Sequence, residues 1–149
     1  MKILMLEDEF FCRLALQKLL VAYGECHIAV EGKEALHAFE NALEAGAPYD
    51  LVCLDILLPD TDGLLVLKGI RNAERSHHVF LEHYCKILMT TTMNDMKSIM
   101  DAYNEICDGY LVKPVTPQKL VKAFREIKLL PPETAFAGAR DSSSLAGQV

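Results

Sequence analysis

Short apolar runs alternate along this chain with longer stretches in which apolar residues recur every three or four positions. The runs Ile3–Leu6, His27–Val30, Leu51–Leu54, Ile87–Thr90 and Tyr110–Val112 have the length and bounded character of buried strands. Between them, Phe11, Leu14, Ala15, Leu16 and Leu19 mark one face of a helix. Ala35, Leu36, Phe39 and Leu43 mark a second, which closes at Gly46 and Pro48. Leu64 to Arg71, Met96 to Tyr103 and Leu120 to Ile127 carry three more. Five strands alternating with five helices predict an α/β fold, a doubly wound five-stranded parallel sheet covered on both faces. The strands read as near-continuous apolar runs, which favours that arrangement over a half-solvated antiparallel sheet.

The periodicity stops after Leu130, where Pro131-Pro132 opens a stretch rich in Ala, Gly and Ser. One folded domain over residues 1–130 and a flexible tail over 131–149, with no effector domain, are therefore expected. One connection is longer than the usual few residues. It runs from Arg75 to Lys86 and holds His77, His78 and His83. No neighbouring cysteine or carboxylate pair gives these histidines the spacing of a zinc site. The plainer expectation is that Val79, Phe80 and Leu81 pack this loop onto the domain.

The net charge of −6 argues against a direct nucleic-acid surface, which needs a basic face. No stretch approaches the roughly 20 apolar residues of a membrane span, and the first residues go directly into a strand pattern, so a signal segment is not expected. The five cysteines form no C-x-x-C pair and are odd in number, which suits reduced, mostly buried thiols in a cytoplasmic protein.

The chemistry gathers at strand ends. Asp55 ends the run Leu51–Leu54, and an ionised carboxylate at the end of a buried strand needs a partner. Glu7 and Asp8 end the run Ile3–Leu6 in the same way. Open α/β sheets place their ligand crevice beyond the carboxyl ends of the strands, so these three acids would converge if the two strands are neighbours. Such a convergence calls for a cation. Thr91 follows the fourth run, and Lys113-Pro114 follows the fifth.

Four motifs occur in order: Leu6-Glu7-Asp8-Glu9, Asp55-Ile56-Leu57-Leu58-Pro59 with Asp62-Gly63, Met89-Thr90-Thr91-Thr92, and Gly109-Tyr110-Leu111-Val112-Lys113-Pro114. Together they resemble the receiver domain of response regulators in two-component signalling, over about residues 1–130. The resemblance implies a (βα)5 flavodoxin/CheY-like fold, most similar in architecture to the stand-alone receivers. It implies that Asp55 is the phosphoacceptor and that Mg2+ is the cofactor. Asp8 and Asp55 would ligate the metal directly, Glu7 through water, and Leu57 through its backbone carbonyl. Lys113 and Thr91 would bind the phosphoryl oxygens, Thr91 and Tyr110 would form the switch, and the Lys113-Pro114 peptide would be cis.

The implied activity is that of a switch rather than an enzyme with a turned-over substrate. It would be phosphorylated by a sensor histidine kinase or histidine phosphotransfer protein and would then bind a protein target, with a phosphorylation-dependent homodimer as a further option. A phosphorelay intermediate or phosphate sink is the alternative. A haloacid-dehalogenase-type phosphotransferase is a weaker one, since it expects a second aspartate where Leu57 stands. Three positions depart from the common receiver: Glu7 replaces a more frequent aspartate, Thr92 a small residue, and Leu57 is apolar. The last two predict slow loss of the phosphoryl group.

Each residue also has a plain structural reading. Glu7-Asp8-Glu9 could serve as helix cap and first-turn acids, Asp62-Gly63 as a simple turn, and Thr90–Thr92 as a strand end leading to a helix capped by Asn94. Tyr110 could simply pack at a strand end, and Lys113 could be a solvated charge.

Overall fold

The computed structural model describes residues 1–58, 63–92, 95 and 106–131. Its strands are β1 (Lys2–Leu6), β2 (Glu25–Ala29), β3 (Leu51–Asp55), β4 (Lys86–Thr91) and β5 (Gly109–Val112). Its helices are α1 (Phe10–Leu20), α2 (Gly32–Glu44), α3 (Gly63–Ser76) and, after β5, α4 (Pro117–Glu126). All strand pairs are parallel, in the order β2-β1-β3-β4-β5. The predicted helix Met96–Tyr103, Asp62, Asn94 and nearly all of the predicted tail lie outside the described residues.

The central strands β1, β3 and β4 are buried on both faces because their interior positions are apolar on both sides, with successive side chains pointing to opposite faces. Leu4, Leu6, Val52, Leu54, Ile87 and Met89 meet Ala35 and Phe39 of α2 and Val66, Leu67 and Ile70 of α3. Ile3, Met5, Leu51, Cys53, Leu88 and Leu111 meet Leu16 and Leu20 of α1 and Leu120 and Phe124 of α4. The chain therefore winds in both directions from β1, and the reversal of strand order falls between β1 and β3.

Local signals explain the boundaries that differ from the periodicity. Strand β2 starts at Glu25, two residues before the predicted run, and its outer positions are partly exposed because it is an edge strand. Helix α4 starts at Pro117 rather than Leu120, because the Thr116 side chain accepts a hydrogen bond from Lys119 N–H and Pro117 suits the first helical turn.

Gly63, at the start of α3, does more than make a turn. A Cβ there would lie 2.8 Å from the Ile56 carbonyl oxygen and 3.0 Å from that of Asp55. The missing side chain lets α3 begin directly against the backbone that carries Asp55, with Gly63 N–H donating to Ile56 O at 3.3 Å.

The long α3–β4 connection corrects an expectation. Phe80 and Leu81 do not pack onto the domain; they are 73% and 79% exposed, at a short 3-10 turn over Leu81–His83. Polar bonds hold the loop instead. Val79 N–H donates to Glu74 O, Cys85 N–H donates to the Glu74 carboxylate at 2.7 Å, and Arg71 donates to Cys85 O at 3.0 Å. The three loop histidines are exposed and do not group as metal ligands, and His77 Nδ1 is engaged by the Ala73 carbonyl.

Candidate functional site

Strands β1 and β3 are neighbours, so Glu7, Asp8 and Asp55 meet at the carboxyl end of the sheet, at the reversal of strand order. Their carboxylates can each place an oxygen within 4.8 Å of the others, which among the described residues is the one group of acids, histidines or cysteines close enough to share a metal ion. Glu7 and Asp55 are buried, and Asp8 is exposed.

Asp55 is held from two sides. Its Oδ1 accepts from Leu57 N–H at 3.1 Å, and its Oδ2 accepts from Lys113 Nζ at 3.1 Å. Lys113 follows β5, where the Lys113-Pro114 peptide is cis, as the resemblance implied. Its ammonium is shared: Nζ also donates to Glu7 Oε1, at 2.6 Å. Lys113 is thus ion-paired with Asp55 rather than a solvated charge, and it makes a shorter bond to Glu7 that sequence reasoning missed. No local pattern announces a bond between residues 106 apart.

The acids divide their work differently from the capping alternative. Glu9 is the cap of α1, accepting from Phe11 N–H at 3.1 Å and Cys12 N–H at 2.7 Å. Glu7 and Asp8 are thereby left to the site. Arg13, one turn along α1, donates to the carbonyls of Glu7 and Asp8 at 3.2 and 3.0 Å and fixes the loop that bears them. Arg13 was also not foreseen, since a side-chain bond to main-chain carbonyls leaves no compositional mark.

Thr91 is buried at the end of β4, and its hydroxyl donates to Thr92 O at 3.3 Å rather than to Asp55. Thr92 is exposed, with its hydroxyl tied to Asp95 Oδ2 at 2.7 Å. The Leu57 side chain is 62% exposed beside Asp55. Tyr110 lies half-buried on β5, opposite Met89 of β4, and packs against the core under α2 and α3. A cavity of about 230 Å³ opens next to the acids, lined by Glu7, Phe11, Cys12, Thr90, Lys113 and Val115.

The electrostatics show an excess of negative charge. Burial raises the pKa of Glu7, and neighbouring Asp55 adds to the rise; Lys113 opposes both without cancelling them. For Lys113, burial disfavours the charge, but the hydrogen bond to Glu7 and the charge of Asp55 outweigh it and raise its pKa. Three carboxylates against one ammonium leave room for a cation. The side-chain donors are all oxygen, which suits a hard ion such as Mg2+.

A response regulator receiver domain model matches residues 3–125. The chain belongs to the response-regulator receiver family. The receiver is 26% identical over 125 residues to chemotaxis protein CheY of Bacillus subtilis, covering 84% of this chain and 95% of that protein. It is 31% identical over 136 residues to the transcriptional regulatory protein LnrK of the same organism, covering 89% of this chain and 57% of LnrK. Its fold matches the chemotaxis response regulator CheY4 of Vibrio cholerae with a TM-score of 0.66, at 27% identity over 85% of this chain and 97% of that one. The receiver spans a little over half the length of several other curated relatives. Receivers act as phosphorylation-dependent switches that take part in signalling with histidine kinases or phosphotransfer proteins. Among the described residues, no helix is long and apolar enough to cross a membrane.

Proposed function

We propose that this receiver accepts a phosphoryl group on Asp55 from a histidine kinase or histidine phosphotransfer protein, with Mg2+, and then signals by binding a protein target in the cytoplasm. The observation that carries the reading is the meeting of a buried Asp55 with two further acids and a lysine at the crevice end of the sheet. In the reaction, an Asp55 carboxylate oxygen attacks phosphorus, a new O–P bond forms, and the P–N bond to the donor histidine breaks. Asp8, Asp55, the Leu57 carbonyl and a water-bridged Glu7 would hold the metal, which supplies charge neutralisation. Lys113 already lies against Asp55 and would bind the phosphoryl oxygens. Thr91 would turn its hydroxyl from Thr92 O toward the same group. Phe10 and Phe11, exposed on α1 beside the cavity, offer the donor protein an apolar surface.

Persistence of the phosphoryl group follows from the flanking residues. Attack by water needs a polar group to orient it, and Leu57 supplies none. The Thr92 hydroxyl is already committed to Asp95. Labelling with a small-molecule phosphodonor and Mg2+, then borohydride trapping and peptide mapping, should place the modification at Asp55, with a half-life of minutes or longer. Modification elsewhere would sink the assignment, and a half-life of seconds would sink the persistence.

The output proposed is a change in the surface around Tyr110 and α4. Movement of Thr91 toward the phosphoryl group would free space behind it, into which the half-buried Tyr110 ring can turn. Tyr110 side-chain NMR signals should therefore shift on adding beryllofluoride with Mg2+. Unchanged signals at saturation would rule out this coupling.

A further inference from the structure

Glu7 is one methylene longer than an aspartate, and both oxygens of its carboxylate are engaged inside the protein. Oε1 accepts from Lys113 Nζ at 2.6 Å, closer than the 3.1 Å between the same ammonium and Asp55 Oδ2. Oε2 accepts from Glu9 N–H at 3.3 Å. Glu9 in turn caps α1, and Arg13 holds the carbonyls of Glu7 and Asp8. Glu7 is thus moored to the start of a helix. Lys113 belongs to the end of β5, which β3 and β4 separate from β1 in the sheet. The Glu7–Lys113 bond therefore reaches across two intervening strands and draws the lysine toward β1.

The Lys113 ammonium has three donors, one on Glu7 and one on Asp55 here, so a move onto phosphoryl oxygens beyond Asp55 stretches the shorter bond, the one to Glu7. We propose that Glu7 is a latch on Lys113, a positioning residue that holds the ammonium toward β1 until a phosphoryl group on Asp55 offers a stronger partner. The proposal rests on the receiver reading and deepens it: the latch restrains phosphorylation, because its charge-assisted hydrogen bond has to be weakened on the way. The length of the side chain decides whether it works. Aspartate at this position would keep the charge but withdraw the carboxylate by about 1.5 Å, one carbon–carbon bond, and so lose the contact.

The direct test follows the Lys113 ammonium signal in 15N-labelled protein without phosphodonor. A slowly exchanging Lys113 signal is expected in wild type and is expected to be lost in Glu7→Asp; the same signal in both proteins overturns the latch. Wild-type protein needs no substitution for a second measurement: its Lys113 signal should move on saturation with beryllofluoride and Mg2+, and an unmoved signal also overturns the proposal. With a small phosphodonor at saturating Mg2+, Glu7→Asp should label about fivefold faster, within the range of one weakened charge-assisted bond. An equal or slower rate overturns the restraint. If wild type takes up no phosphoryl group, the receiver reading itself fails. The ammonium signal in Glu7→Asp still decides whether Glu7 holds Lys113.

Discussion

Asp55→Asn protein treated with a small-molecule phosphodonor and Mg2+ is expected to take up no measurable phosphoryl group, while wild type labels readily. The expected fall is at least about a thousandfold, equivalent to about 4 kcal/mol in the barrier. An amide offers neither the charge nor the lone-pair basicity of the carboxylate that attacks phosphorus. The substitution is otherwise gentle. Asparagine keeps an oxygen to accept from Leu57 N–H or Lys113 Nζ, the two bonds that hold Asp55 now. It also removes one of the acids whose proximity raises the Glu7 pKa. The variant should therefore fold as well as wild type or better, so that lost labelling cannot be ascribed to unfolding. Thermal unfolding without metal checks this: a melting temperature at or above that of wild type is expected. Equal labelling of the two proteins would remove Asp55 from its proposed role.

Much of this site was legible in the sequence because it lies at strand ends, where periodicity marks both the element and its last residue. Asp55, Glu7, Asp8 and Lys113 stand at the carboxyl end of one sheet because the βα alternation puts every such end on the same side. What could not be read was pairing among them. The lysine could be matched to Asp55 by chemistry, yet its shorter bond to Glu7 depends on side-chain reach across two strands. Edge strand β2 was the least legible element, since half-exposed positions such as Cys26 and His27 break the apolar run that marks a central strand. The α3–β4 loop misled for the opposite reason. Its apolar residues suggested packing, while its anchor is polar and lies on other elements.

That anchor carries the second large expectation: Arg71→Ala should cost about 3–5 kcal/mol of stability, as removing one member of a buried ion pair does. Arg71 is almost fully buried on α3. Its guanidinium donates to Glu74 Oε1 at 2.8 Å, Cys85 O at 3.0 Å, Ile106 O at 3.0 Å and Asp108 Oδ2 at 3.1 Å. The acids extend the network: Glu74 accepts from Cys85 N–H, and Asp108 accepts from Ile87 N–H, each at 2.7 Å. One side chain thus ties α3 to the entries of β4 and β5, at the end of the sheet opposite Asp55. Its loss leaves Glu74, 1% exposed, as a buried charge without its counter-ion. Domains of this kind have about 5–15 kcal/mol in total, so the loss is a large fraction of it. Urea unfolding of Arg71→Ala and wild type measures the deficit. The double variant with Glu74→Gln should recover part of the loss, because the buried charge goes with its partner. A deficit below about 1 kcal/mol, the range of an exposed pair, would show that this network does not hold the two strands in place.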